Sequence, residues 1–135
     1  MSNQPAEKLE RKRILIVDDH PLMRVGLGKL IDQQQDMTVC GEASDVSEGM
    51  TAVMSLEPDA VIVDISLTSG SGIDLIKSIH ALRPDLPILA LSVHHENLYA
   101  QVAIGAGARG YVMKRDPLEK LLEVLRDILT GPTAP

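Results

Sequence analysis

Apolar positions along this chain follow two patterns in turn: short unbroken runs, and stripes that repeat every three or four residues. The runs predict strands at about 13–18, 37–42, 60–64, 87–92 and 109–113, and the stretches between them carry helical spacing. Met23, Leu27, Leu30 and Ile31 fall at i, i+4, i+7 and i+8, and Pro21 suits an opening turn, so the first helix has one apolar face. Asp45 with Glu48 resembles a capping box ahead of Val46, Met50, Val53 and Met54. Ser71 with Asp74 repeats the pattern ahead of Leu75, Ile79 and Leu82. The strongest stripe is the last: Leu118, Leu121, Leu122, Leu125, Ile128 and Leu129, opened by Asp116-Pro117 with Glu119 and closed by Gly131-Pro132. A fourth helical segment, about 95–107, is the weakest. Leu98 and Val102 align on it, but Gly105 and Ala106 come next on that face, so shifting this helix costs least.

Strands that alternate with helices in this way imply an α/β fold: a parallel sheet with right-handed crossovers and helices on both faces. Ligands on such sheets gather at the carboxyl ends of the strands.

Composition narrows the picture. A chain of 135 residues, 44% hydrophobic and 24% charged, supports one well-buried core. The expected division is a polar N-terminal tail over 1–11, a single domain over 12–130, and the start of a linker over 131–135. Tyr99 and Tyr111 are the only aromatics, so the core is built from Ile, Leu, Val, Met and Ala. A net charge of -6 argues against a nucleic-acid footprint, which needs clustered Lys and Arg. Cys40 has no partner for an internal disulfide and reads as a small hydrophobe. No run resembles a signal peptide or approaches the ~20 residues of a spanning helix, so a cytoplasmic protein with no membrane contact is expected.

The chemistry lies where the runs stop. Ile14-Leu-Ile-Val17 ends on Asp18-Asp19, Ala60-Val-Ile-Val63 ends on Asp64, and Tyr111-Val-Met113 ends on Lys114. Singly, these acids would pass as helix caps, Lys114 and Ser92 as solvated loop residues, and Tyr111 as core. Together they put three carboxylates and an ammonium at one rim. Two ionised carboxylates ~4 Å apart repel by ~4 kcal/mol at an effective dielectric near 20, so a cation must join them. Oxygen donors on short loops suit Mg²⁺ better than a thiophilic metal. His94-His95, His20 and His80 read as ordinary solvent-facing residues, since adjacent histidines do not share a helix face. Gly70 and Gly72 read as turn residues after Asp64.

In this order and at these strand ends, Asp18-Asp19, Asp64, Ser92 and Tyr111-Val-Met-Lys114 resemble the receiver domain of two-component response regulators over about residues 12–130. Leu91-Ser92 and Gly105-Ala-Gly-Ala-Arg-Gly-Tyr-Val-Met-Lys114 are closest to the subfamily with LuxR-type helix-turn-helix output. The resemblance implies a flavodoxin-like, doubly wound, five-stranded parallel sheet of order 2-1-3-4-5 with five helices. It also implies that Asp64 is a phosphoacceptor for a sensor histidine kinase, that Asp19 and Asp64 bind Mg²⁺ directly and Asp18 through water, and that the backbone carbonyl of Ser66 adds a ligand. Lys114 would neutralise the transferring oxygens, Ser92 would turn onto the phosphate, and Tyr111 would follow inward as a switch. The family is one of signalling phosphoacceptors that assist their own phosphorylation and dephosphorylation rather than enzymes. It implies phosphorylation-dependent homodimerisation, and contact with DNA only through a C-terminal domain absent from this sequence. Such a chain would be a fragment or a single-domain receiver.

The sequence departs from the family at Thr68 and Arg115, where many receivers carry proline; without proline, the peptide after Lys114 is expected to be trans. Three alternatives fit less well. A flavin or nucleotide binder would want a Gly-rich loop where Asp18-Asp-His-Pro stands. An aspartyl phosphatase would want a second carboxylate in Asp64-Ile65-Ser66. An unphosphorylated interaction module would not need the complete acidic set with Lys114.

Overall fold

The computed structural model describes residues 11–67, 71–93 and 97–131. Thr68, Gly70, His94-His95, residues 1–10 and residues 132–135, about which the sequence raised expectations, lie outside the described residues. The elements run β1 (Lys12–Val17), α1 (Pro21–Asp32), β2 (Met37–Ala43), α2 (Val46–Leu56), β3 (Ala60–Asp64), α3 (Gly72–Leu82), β4 (Ile88–Ser92), α4 (Asn97–Ala106), β5 (Gly110–Met113) and α5 (Leu118–Thr130). All strand pairs are parallel, in the order β2-β1-β3-β4-β5.

The unbroken apolar runs are explained by helices on both faces of the sheet. Leu15, Val17, Val61, Val63, Ile88 and Ala90 point to one side, under Val53 of α2, Leu75, Ile76 and Ile79 of α3, and Ala103 and Ala106 of α4. Ile14, Ile16, Ile62, Leu89, Leu91 and Val112 point to the other, under Leu27 and Ile31 of α1 and Leu121, Leu122, Leu125 and Ile128 of α5. Cys40, half-buried, is the extra residue of a bulge where the register steps from Ile14↔Val39 to Leu15↔Gly41, and burial pushes its thiol pKa up.

Local signals act mostly as their sequence suggests. Asp45 accepts a hydrogen bond from the Glu48 amide at 2.7 Å, and Ser71 accepts one from the Asp74 amide at 3.1 Å. The return arm at Glu48 reaches one residue further back than a capping box requires, accepting from the amide of Ser44 at 2.9 Å. Asp116 does not open α5. Its carboxylate instead accepts from the Met113 amide at 3.0 Å and closes the turn after β5, while Pro117 occupies the cap position with no side-chain bond.

The face expected of α4 is not the one it buries. Leu98 and Val102 are 65% and 45% exposed, whereas Ala103 and Ala106 are buried. Small side chains let this helix lie close to its neighbours, and the larger ones are left in solvent. Met54, Leu82 and Leu118 likewise sit at the exposed margins of their stripes. Gly72 opens α3 so close to β3 that a methyl group there would collide with the Asp64 carbonyl oxygen and the Ile65 Cα. It is required for a close approach rather than for turn geometry. At the opposite end of the sheet, Lys12, Asp59, Asp85 and Arg109 line a cleft closed by Thr130 and Gly131 at the end of α5.

Candidate functional site

Parallel register carries each strand's last residues to a common rim. Val17 is level with Val63, Asp64 with Leu91, and Ser92 with Met113, so Asp18, Asp64, Ser92 and Lys114 emerge side by side. Backbone bonds continue this order past the strands: the Ile65 amide donates to Leu91 at 2.9 Å, and the Lys114 amide to Ser92 at 2.6 Å.

The loop after β1 is pinned twice. Asp18 Oδ1 accepts from the His20 amide at 2.8 Å, a local Asx turn, and the Arg24 guanidinium donates to the Asp18 carbonyl at 2.7 Å. The turn after β3 is held by the Ser66 amide, which donates to Asp64 Oδ1 at 2.8 Å. Ser66 thus holds the acceptor carboxylate through its amide, while the sequence expectation concerned its carbonyl.

Asp18, Asp64 and Ser92 are fully buried. The Lys114 ammonium lies 2.9 Å from Asp64 Oδ2 and 3.2 Å from Asp18 Oδ2. Burial pushes the Asp64 carboxyl above its ordinary pKa, and the Asp18 charge adds to the rise. The Lys114 hydrogen bond and the Ser66 amide oppose it. Two buried carboxylates therefore share one cation, with Asp19 beside them.

Whether a divalent ion fits can be judged from the donor set. Asp18, Asp19, His20 and Asp64 each offer a ligand atom, all within 4.8 Å of one another, and Asp18 Oδ2 is buried without accepting a hydrogen bond. A set dominated by carboxylates, with an orphaned buried oxygen, fits a hard cation such as Mg²⁺.

Of the residues singled out in the sequence, Asp18, Asp19, Asp64 and Lys114 are brought together, and Ser92 lies buried on the neighbouring strand end. Tyr111 is half-buried on β5, opposite Ala90 and packed against the core under α2, α3 and α4. His20 belongs to the cluster although its sequence context read as plain. The signal available was its position directly after Asp18-Asp19. His80 lies away from the site, in the last turn of α3. No cis peptide occurs among the described residues.

Residues 14–126 match the family described as the response regulator receiver domain. The chain is 33% identical over 122 residues to a nitrate/nitrite response regulator protein homolog of Haemophilus influenzae, covering 90% of this chain and 59% of that one. It is 34% identical to the oxygen regulatory protein NreC of Staphylococcus haemolyticus, covering 90% and 56%. It therefore spans somewhat over half the length of these curated relatives. Among solved structures, a LuxR-family two-component response regulator from Aurantimonas superposes with a TM-score of 0.86 at 33% identity, covering 90% of this chain and 86% of that one.

Proposed function

The chain belongs to the response regulator receiver family, and on that premise we propose that Asp64 accepts a phosphoryl group from a phosphohistidine on a sensor histidine kinase. The observation that carries this reading is the pairing of the fully buried Asp64 carboxylate with the Lys114 ammonium at 2.9 Å, beside the buried Asp18. Residues 12–130 form the unit that does this.

In the reaction a carboxylate oxygen of Asp64 attacks phosphorus, the O–P bond forming as the P–N bond to the donor imidazole breaks, and the product is an aspartyl phosphate. The Ser66 amide fixes the rotamer of the attacking carboxylate. Lys114 moves its charge from carboxylate to phosphate as the group arrives, which a long mobile stem permits. Asp18, Asp19, Asp64 and the Ser66 carbonyl would hold Mg²⁺, which when bound neutralises the charge on the transferring oxygens.

The added charge of about -1.5 to -2 then biases the surface of α4, β5 and α5. Ser92 turns its hydroxyl onto the phosphate, and Tyr111 follows, exchanging one half-buried position for another. The same site assists its own dephosphorylation. The output is transcription, through homodimerisation and a DNA-binding domain further along the chain.

The test is incubation with Mg²⁺ and acetyl phosphate or a phosphorylated sensor kinase, followed by mass measurement of the wild type and Asp64→Asn. A phosphate adduct is expected in the wild type alone. An adduct of equal yield in the variant would move the acceptor elsewhere.

A further inference from the structure

The His20 imidazole occupies a position its sequence context did not suggest. Its Nδ1 lies 2.9 Å from Asp18 Oδ1, 3.2 Å from Asp19 Oδ1, 3.5 Å from Asp64 Oδ2 and 2.9 Å from the Lys114 ammonium. A ring nitrogen carries either one proton or one lone pair. Here it faces three oxygens that, as carboxylates, only accept, and an ammonium that only donates. A hydrogen bond to one of these neighbours leaves the contact on the other side unfavourable, so hydrogen bonding alone does not account for this packing.

Coordination does account for it. Adjacent ligand atoms around an octahedral ion at about 2.1 Å stand about 3.0 Å apart, and the Nδ1–oxygen separations fall on that scale. The ammonium marks where positive charge belongs. It lies 2.9 Å from Nδ1 and from Asp64 Oδ2, and 3.2 and 3.4 Å from the two Asp18 oxygens, as a stand-in cation would. Asp18 is fully buried, and its Oδ2 accepts no hydrogen bond, the ammonium being its one charged neighbour of opposite sign among the described contacts.

We infer that His20 is a nitrogen donor to the cation site and sets its selectivity, favouring divalent ions that take mixed oxygen and nitrogen ligands, such as Mn²⁺, over Mg²⁺. Neutral imidazole is a common ligand for such ions, whereas Mg²⁺ keeps to oxygen. The inference rests on the reading of the acidic cluster as a cation site. The ring is held in place by the backbone, through the His20 amide bond to Asp18 and Pro21 in the next position, where α1 begins. Its side chain is 53% exposed, so His20→Ala removes the donor without opening a core cavity.

The experiment titrates the metal-free chain with Mn²⁺ and with Mg²⁺ and records electron spin echo envelope modulation of the Mn²⁺ form. The expected result is nitrogen modulation from a bound imidazole, abolished in His20→Ala and kept in His80→Ala, with the ratio of Mn²⁺ to Mg²⁺ affinity falling about tenfold in His20→Ala. Mn²⁺ that binds, is displaced by Mg²⁺ and is weakened by Asp64→Asn, yet shows no nitrogen modulation, would overturn the role of His20 and leave the cation site standing. Tighter Mg²⁺ binding by His20→Ala together with absent modulation would also overturn it, since the ring would then compete with the ion. Uptake of neither ion would overturn both this inference and the reading of the cluster.

Discussion

Lys114 is the residue on which the metal-free site depends most. Its ammonium is the lysine or arginine charge within salt-bridge distance of the buried Asp18 and Asp64 carboxylates among the described contacts. Removing one partner of a buried ion pair leaves the other partner's charge uncompensated, which typically costs more than the pair gains when intact. Lys114→Gln is therefore expected to lower stability by about 3 kcal/mol without metal, and millimolar Mg²⁺ is expected to recover much of the loss. Urea unfolding with and without the ion measures both. Asp18, Asp64 and Lys114 were legible in the sequence because each ends an apolar run, and parallel register turns strand ends into neighbours. His20 was not legible: its role depends on the direction of one side chain after an Asx turn, which no spacing encodes. Asp116 was misread for a related reason, since an acid just before a helix can cap it or can close the preceding turn, and the geometry of Met113 decides between them.

At the level of elements, the two helices flanking β5 behave as opposites. In α5 the stripe seen in the sequence is the stripe that is buried, with Leu125 fully enclosed. Leu125→Ala is expected to cost about 3 kcal/mol, from lost transfer energy plus a residual cavity. In α4 the large side chains are outside, and Val102→Ala is expected to change stability by less than about 0.5 kcal/mol. Thermal or chemical unfolding of the two variants under one set of conditions checks the contrast. The identity and extent of α4 were close to legible, but its buried face was not, because alanines do the packing and contribute little to a pattern read by hydrophobicity. Weak apolar anchorage in α4, beside firm anchorage in α5, locates the movable part of the proposed output surface on α4.

For the whole molecule, proton and metal binding at the rim are linked to folding. Since burial raises the Asp64 pKa, the folded chain keeps a proton that the unfolded chain has released, in a window starting at the ordinary value of 3.8 and running upward. Across that window, the Asp64 contribution to stability falls as pH rises. Asp36 and Glu48 slope the other way. Arg126 holds the Asp36 pKa down and the Ser44 bonds hold Glu48 down, so their contributions are lost as pH falls. The difference between wild type and Asp64→Asn isolates the first effect. In calorimetry at neutral pH without metal, Asp64→Asn is expected to melt higher than wild type, with the gap closing on acidification. Mg²⁺ at about a hundred times its Kd should stabilise the wild type by about 2.7 kcal/mol at neutral pH, and by less in the acid window, where protons compete for the same oxygens. The Arg126–Asp36 pair, at 2.8 and 3.0 Å, and the cleft closed by Gly131 both belong to the other end of the sheet. A biosensor chip that captures the chain by residue 131 would therefore present the acidic rim to the flow cell, leaving the path of an incoming phosphodonor clear of the immobilising surface.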